Sequence, residues 1–334
     1  MKLPSLLAEH ASTDLTPHIG TLFPASFQLS SLASSDASSD FADLTPADRA
    51  FLTELATLIS QRGVVFFPAQ DLKIAQQLRL AHLLGQAGGK PADSTLHRHP
   101  VSESMSELGG EVSVISSMGG ISRAGLQEGR RAANGWHADI TFEHVPSDYA
   151  ILKMHTLPSV GGDTLWASGY EAYDRLSPHY RTFLEGLTAV HSADFFVEYA
   201  RALGLSIQDP RGSPANTGSD LVAVHPVIRT HPVTGFKTLF VNKSFTQRIV
   251  ELTADESDHV LDYLYRHVSE NHDMQIRYRW GKDDIAIWDN RATFHTATND
   301  YASTEAREGN RAVSIGERPY FDPKSRSRRE VLGL

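Results

Sequence analysis

The 334-residue sequence contains no cysteine, which excludes a disulfide framework and any thiolate metal site. A bound metal would have to be held by histidine, aspartate or glutamate. No apolar run is long enough to span a bilayer, and the opening MKLPSLLAEHASTD has no extended hydrophobic segment of the kind a secretion signal needs. These absences predict a soluble, intracellular, cytoplasmic protein with no membrane partner. An excess of basic charge is missing too: 31 Lys and Arg against 40 Asp and Glu give a formal net charge of −9. Phosphate recognition needs clustered cations, so no nucleic-acid partner is expected. The basic run near the C-terminus, KSRSRR at 324 to 329, reads as a solvated tail. A Gly-rich phosphate loop and internal repeats are also absent.

What is present fits an ordinary globular chain, with 40% hydrophobic and 21% charged residues. Residues 29–39, LSSLASSDASS, are Ser-rich and predict an exposed loop that separates an N-terminal arm, 1–44, from the main body, 45–334. Pro46 suits a first helical turn, and Phe51, Leu52, Leu55, Leu58 and Ile59 recur at helical spacing up to Gly63. The run VVFF at 64–67 predicts a buried strand, and 74–84 a second helix. Beyond about residue 110, short strand-like runs dominate, at 111–115, 149–154, 222–227, 238–241 and 284–288, with helices at 169–184 and 254–270. This density predicts a mainly β fold with peripheral helices, a sandwich or jelly roll.

The sharpest local feature is Trp136-His137-Ala138-Asp139. On a strand, residues two apart share a face, so the His137 imidazole and the Asp139 carboxylate can reach one ion. A second imidazole, His295, ends the stretch WDNRATFH. Two imidazoles and one carboxylate leave three adjacent positions open on an octahedral iron(II), as a bidentate cosubstrate and dioxygen require. Taken singly, an HxD triplet also reads as a surface ion pair, and one histidine as a hydrogen-bonded core residue. Arg307 and Arg311 follow downstream, spaced so that two guanidinium forks can clamp a dicarboxylic acid.

At these residues the sequence resembles the taurine dioxygenase family of iron(II)- and 2-oxoglutarate-dependent oxygenases. The likeness runs through WHADITF at 136–142, GGDTLWASGYEAYDRLS at 161–177, HPVIRTHPVTGFKTLFVNKSFTQRIV at 225–250 and DIAIWDNRATFH at 284–295. Ala306, Arg307 and Arg311 continue it, and GERPYF at 316–321 closes it. Order and spacing across about 95–322 make the set far more specific than one triplet. The resemblance implies a double-stranded β-helix, with iron(II) as cofactor, 2-oxoglutarate as cosubstrate and dioxygen as oxidant. It implies His137, Asp139 and His295 as iron ligands. Thr164 and Arg307 would bind the distal carboxylate of 2-oxoglutarate, and Arg311 would lie near its other carboxylate and the anionic head of the substrate.

His99, Phe245 and Phe196 are the implied substrate contacts; Ser102 departs from the taurine enzyme, which carries a tyrosine there. The expected substrate is a small anionic molecule, an alkyl sulfonate or a sulfate ester, giving sulfite or sulfate and an aldehyde. The alternative is an amino acid or secondary-metabolite intermediate, ending in hydroxylation, desaturation or cyclisation. A zinc hydrolase and an inactive binding protein on the same scaffold are the other readings, and the resemblance leaves room for a homo-oligomer.

Overall fold

The computed structural model describes residues 7–33, 40–101, 108–118, 131–302 and 304–334. The first helix, Pro46–Arg62, starts where the Thr45 hydroxyl accepts the Asp48 N–H and proline occupies the first turn. It stops at Gly63, whose φ of 75° and whose contact with Thr293, 2.7 Å from an added Cβ, leave room for glycine alone. The chain passes directly into the strand Val64–Phe67, all four residues of which are buried. The second helix, Ile74–Ala87, packs beside the first.

The main sheet has the order Thr13–Asp14, Thr21–Leu22, Val64–Phe67, Ile285–Asp289, Ser147–Thr156, Glu308–Ile315, Val112–Ser116. Its pairings are antiparallel except that Thr21–Leu22 runs parallel to Val64–Phe67. Alternation along the strands divides two cores. Val65, Phe67, Ile151 and Ile287 meet Leu55, Ile59, Leu80 and Leu84 of the two helices. Val64, Phe66, Ala150, Trp288 and Val313 face inward onto Trp166. Trp166 belongs to a three-stranded sheet, Gln275–Tyr278, Thr164–Ser168, Thr293–Ala297, which closes the jelly roll from the other side. A second three-stranded sheet, Thr246–Ile249, Thr188–Ser192, Val222–Pro226, and the pair Ile228–Thr230 and Lys237–Leu239 share a further core with Ala167 and Phe294 through Ala189, Ile228, Leu239 and Ile249. The helix Ala254–Ser269 covers this side through Leu261, Leu264 and Val268. No helix among the described residues is long and apolar enough to cross a membrane.

Three local expectations change. The Ser-rich stretch opens with a 3-10 helix, Leu29–Ala33, in which Leu29 and Ala33 are buried and the Leu29 N–H donates to the Gln70 side chain. Two apolar anchors outweigh the polar average; residues 34–39 lie outside the described residues. The helical stretch from Gly169 divides into Gly169–Asp174 and Pro178–Leu184, because Ser177 and Pro178 start a fresh capped turn. The basic C-terminal run is not simply solvated. Arg328 is buried and donates to the carbonyls of Pro17 and His18, and Arg329 pairs with Glu171.

Candidate metal centre

His137 and His295 face each other in an isolated antiparallel bridge and exchange both backbone hydrogen bonds, at 3.0 and 2.8 Å. Their rings consequently lie 4.2 Å apart, centroid to centroid. His295 belongs to the strand Thr293–Ala297, whereas the chain after His137 turns at once, with Ile140 at φ 50°. Asp139 is therefore placed by anchors and not by a regular strand. Its N–H donates to Asn290 Oδ1 at 3.0 Å, and its carbonyl accepts the Ser147 hydroxyl at 3.1 Å. Trp288 Nε1 donates to the same Asn290 oxygen, also at 3.0 Å, so one amide joins the two segments that carry the three side chains.

Asp139 Oδ1 stands 3.7 Å from His137 Nε2 and 3.9 Å from His295 Nε2, and one ligand atom from each of the three lies within 4.8 Å of the others. It is the one such group found among the described residues. His137 Nδ1 donates to the Gly135 carbonyl at 2.7 Å, which leaves the Nε2 lone pair facing the cluster. Burial, reinforced by the neighbouring His137, lowers the His295 pKa to about 3, so its imidazole is neutral and able to ligate. Burial pushes the Asp139 carboxyl up. Arg311, whose NH1 lies 2.6 Å from Oδ1, and the two imidazoles outweigh that and hold it well below the usual carboxylate range. Asp139 Oδ2 is buried without a partner. Two imidazole nitrogens, one ionised carboxylate and an unsatisfied oxygen fit a divalent iron.

Arg307 immediately precedes the strand Glu308–Ile315 and Arg311 lies within it, four residues on, so both project to one face. Arg307 is 5% exposed and makes no ion pair among the described residues. It donates through Nε to the Gly162 carbonyl at 2.7 Å and through NH2 to Thr164 Oγ1 at 3.2 Å. Trp280 Nε1 donates to the same hydroxyl at 3.0 Å. A buried guanidinium that touches no carboxylate is a place for an anion.

The remaining expected residues come together as one wall. Phe245 lies 6.0 Å from the His137 ring, and Phe196 meets His99 edge-to-face at 4.7 Å. Phe142 links them, 5.1 Å from Phe245 and 5.9 Å from Phe196. Burial lowers the His99 pKa to about 4, and Nδ1 of its ring is engaged with the Val101 backbone. Phe142 and Asn290 were not singled out from sequence, although both stand inside the stretches WHADITF and DIAIWDNRATFH. Ser102 lies outside the described residues.

A jelly roll that gathers two imidazoles, a carboxylate, a buried arginine and a half-buried one defines a class: mononuclear non-haem oxygenases that bind a 2-oxo acid beside the metal. The comparisons carry the conclusion to a family. The sequence model described as "Taurine catabolism dioxygenase TauD, TfdA family" matches residues 14–313, and the chain belongs to that family. It is 40% identical to the alpha-ketoglutarate-dependent dioxygenase oryG of Aspergillus oryzae, over 99% of this chain and 95% of that one. It is 31% identical to an alpha-ketoglutarate-dependent sulfonate dioxygenase of Saccharomyces cerevisiae, over 84% of this chain and 65% of that one. The crystal structure of a taurine dioxygenase from Burkholderia xenovorans superimposes with a TM-score of 0.67 at 28% identity, covering 95% of this chain and 92% of that one. The protein is thus an Fe(II)- and 2-oxoglutarate-dependent dioxygenase acting on a small organic substrate. Membership decides against the zinc hydrolase and the inactive scaffold.

Proposed function

We propose that the substrate is a small anion with an apolar body, best matched by an alkyl sulfonate or a sulfate ester. The observation that carries this reading is the junction of an aromatic wall with cationic and imidazole groups. Phe142, Phe196 and Phe245 line the approach to His137. At the ends of that wall stand Arg311, against Asp139, and His99, against Phe196. The relative from Saccharomyces cerevisiae named as a sulfonate dioxygenase supports the same class.

In this reading His137, Asp139 and His295 hold the iron, which when bound supplies dioxygen activation coupled to conversion of 2-oxoglutarate to succinate and carbon dioxide. Arg307 and Thr164 grip the far carboxylate of the cosubstrate, and Arg311 serves its near end and the head of the substrate. His99 and the three phenylalanines set which substrate C–H faces the metal, and so decide the product. Hydroxylation of the carbon bearing the sulfonate or sulfate group then releases sulfite or sulfate and leaves an aldehyde. Ser102, where the taurine enzyme has tyrosine, favours a second reading: a larger amino acid or secondary-metabolite intermediate handled by the same iron chemistry.

Anaerobic enzyme loaded with iron(II) and 2-oxoglutarate tests the substrate. A sulfonate or sulfate ester that fits shifts the metal-to-ligand charge-transfer band and, on admission of oxygen, yields succinate and sulfite or sulfate in equal amounts. No shift across a chain-length series of both classes would overturn the reading. Arg307→Ala is expected to raise the Michaelis constant for 2-oxoglutarate about 10- to 100-fold, the cost of losing a charged hydrogen bond. An unchanged constant removes Arg307 from the cosubstrate site.

A further inference from the structure

Leu96 and Ser314 face each other in an antiparallel bridge, and the His97 N–H donates to the Val313 carbonyl at 2.8 Å. Side chains alternate along such a pairing. Leu96 and Ala312 join the core beneath the helices, whereas Val313 joins the core between the sheets. His97 therefore projects inward, on the side to which Arg311 projects. Its ring centroid lies 6.1 Å from that of His99, and the charges of Arg311 and Asp139 act on it. The ring is 2% exposed, and neither nitrogen has a partner. Nε of Arg311 is also buried and unpartnered.

Buried polar atoms are almost always paired, so three unpaired nitrogens on two neighbouring side chains point to a polar ligand. Metal binding satisfies Asp139 but none of these three. We propose that His97 is a binding residue for the metal-proximal carboxylate of 2-oxoglutarate, which it shares with Arg311. Burial keeps the imidazole neutral, so it offers one N–H; Arg311 offers another, and a carboxylate has an oxygen for each. This inference rests on the assignment of Arg307 and Arg311 to opposite ends of the cosubstrate.

The experiment compares 2-oxoglutarate with pyruvate, which keeps the 2-oxo carboxylate and has no distal one. Each is titrated anaerobically into the iron(II) enzyme, and the charge-transfer band is followed. His97→Phe is expected to weaken both acids by the same factor, about tenfold, and to move the band. His97→Gln, which retains a donor, should stay within about threefold of the parent. Arg307→Ala should weaken 2-oxoglutarate and leave pyruvate unaffected. Where the phenylalanine variant does not fold, His97→Leu carries the same expectation. Parental affinity for both acids in the variants without a donor, or equal weakening by Phe and Gln, would overturn the role of His97. Failure of Arg307→Ala to separate the two acids would instead overturn the arginine assignment, and the pyruvate titration of the His97 variants would still decide their own case.

Discussion

Two groups of buried polar side chains flank the strand Ile285–Asp289 and its turn into Thr293–Ala297, and they are finished differently. Behind the strand, the Asp289 carboxylate accepts from Ser60 at 2.8 Å, His231 Nε2 at 2.9 Å and Arg291 NH2 at 2.8 Å on one oxygen. Its other oxygen accepts the Arg291 Nε and backbone N–H groups, both at 2.9 Å. Arg291 also lies over the Tyr149 ring at 4.7 Å. In front, Asp139 Oδ2, His295 Nδ1, Arg311 Nε and both nitrogens of His97 have no partner. Both groups are buried and both contain ionised side chains. The closed group has all its valences met by protein and specifies the architecture; the open group keeps valences for what binds there.

The comparison is broken most forcefully at the open group. His295→Ala should abolish turnover and weaken metal binding by more than the roughly 100-fold that loss of an outer partner causes. Its thermal midpoint should stay close to the parent, as differential scanning fluorimetry against a metal titration would show. Retained metal affinity would mean that the open valences serve something else.

Asp289→Asn should do the opposite, removing about 3–5 kcal/mol of stability in urea melts by leaving Arg291 and its neighbours without their counter-charge. Its pH dependence sharpens the contrast. Burial raises the Asp289 pKa, but Arg291 and His231 outweigh it and hold the carboxyl well below its ordinary range. The stabilisation is therefore present above the unfolded value of about 4 and is lost as pH falls toward the folded one. The wild-type protein should lose stability steeply below about pH 4, and the asparagine variant less steeply. Parallel acid limbs would show that Asp289 is not the titrating group.

The smallest effect is expected at Asn290, which joins the two sides. Asn290→Ala removes the acceptor shared by the Asp139 N–H and Trp288 Nε1. It should weaken manganese(II) binding about tenfold, measured calorimetrically, because the carboxylate loses its backbone anchor without losing a ligand atom. Affinity equal to the parent would place the anchoring of Asp139 in Ser147 alone.

Much of the frame is legible in the sequence because it rests on local chemistry. Thr45, Pro46 and Gly63 bound the first helix, and VVFF has no polar position to present to water. The three metal-site residues are legible through the spacing of motifs across the chain, but the strand periodicity first invoked for His137 and Asp139 is not what places them. Asp139 lies in a turn and is aimed by Asn290 and Ser147. Nor does any local rule bring His295 opposite His137; that pairing exists only once the sheets close. Two features escape composition for a similar reason. Leu29 and Ala33 are two anchors in a polar run, and Arg328 is a charge whose partners, the carbonyls of Pro17 and His18, lie far away in the sequence. The Asp289 group is invisible for the same cause, since Ser60, His231 and Asp289 converge from three distant segments.

The Arg328 contact also bears on how the sheet edge is closed. The short strands Thr13–Asp14 and Thr21–Leu22 sit at the border of the main sheet, and the turn between them is clasped by a guanidinium 310 residues further along the chain from His18. The edge of the sheet is therefore latched only when two segments far apart in the sequence meet, and without Arg328 that seam is left open.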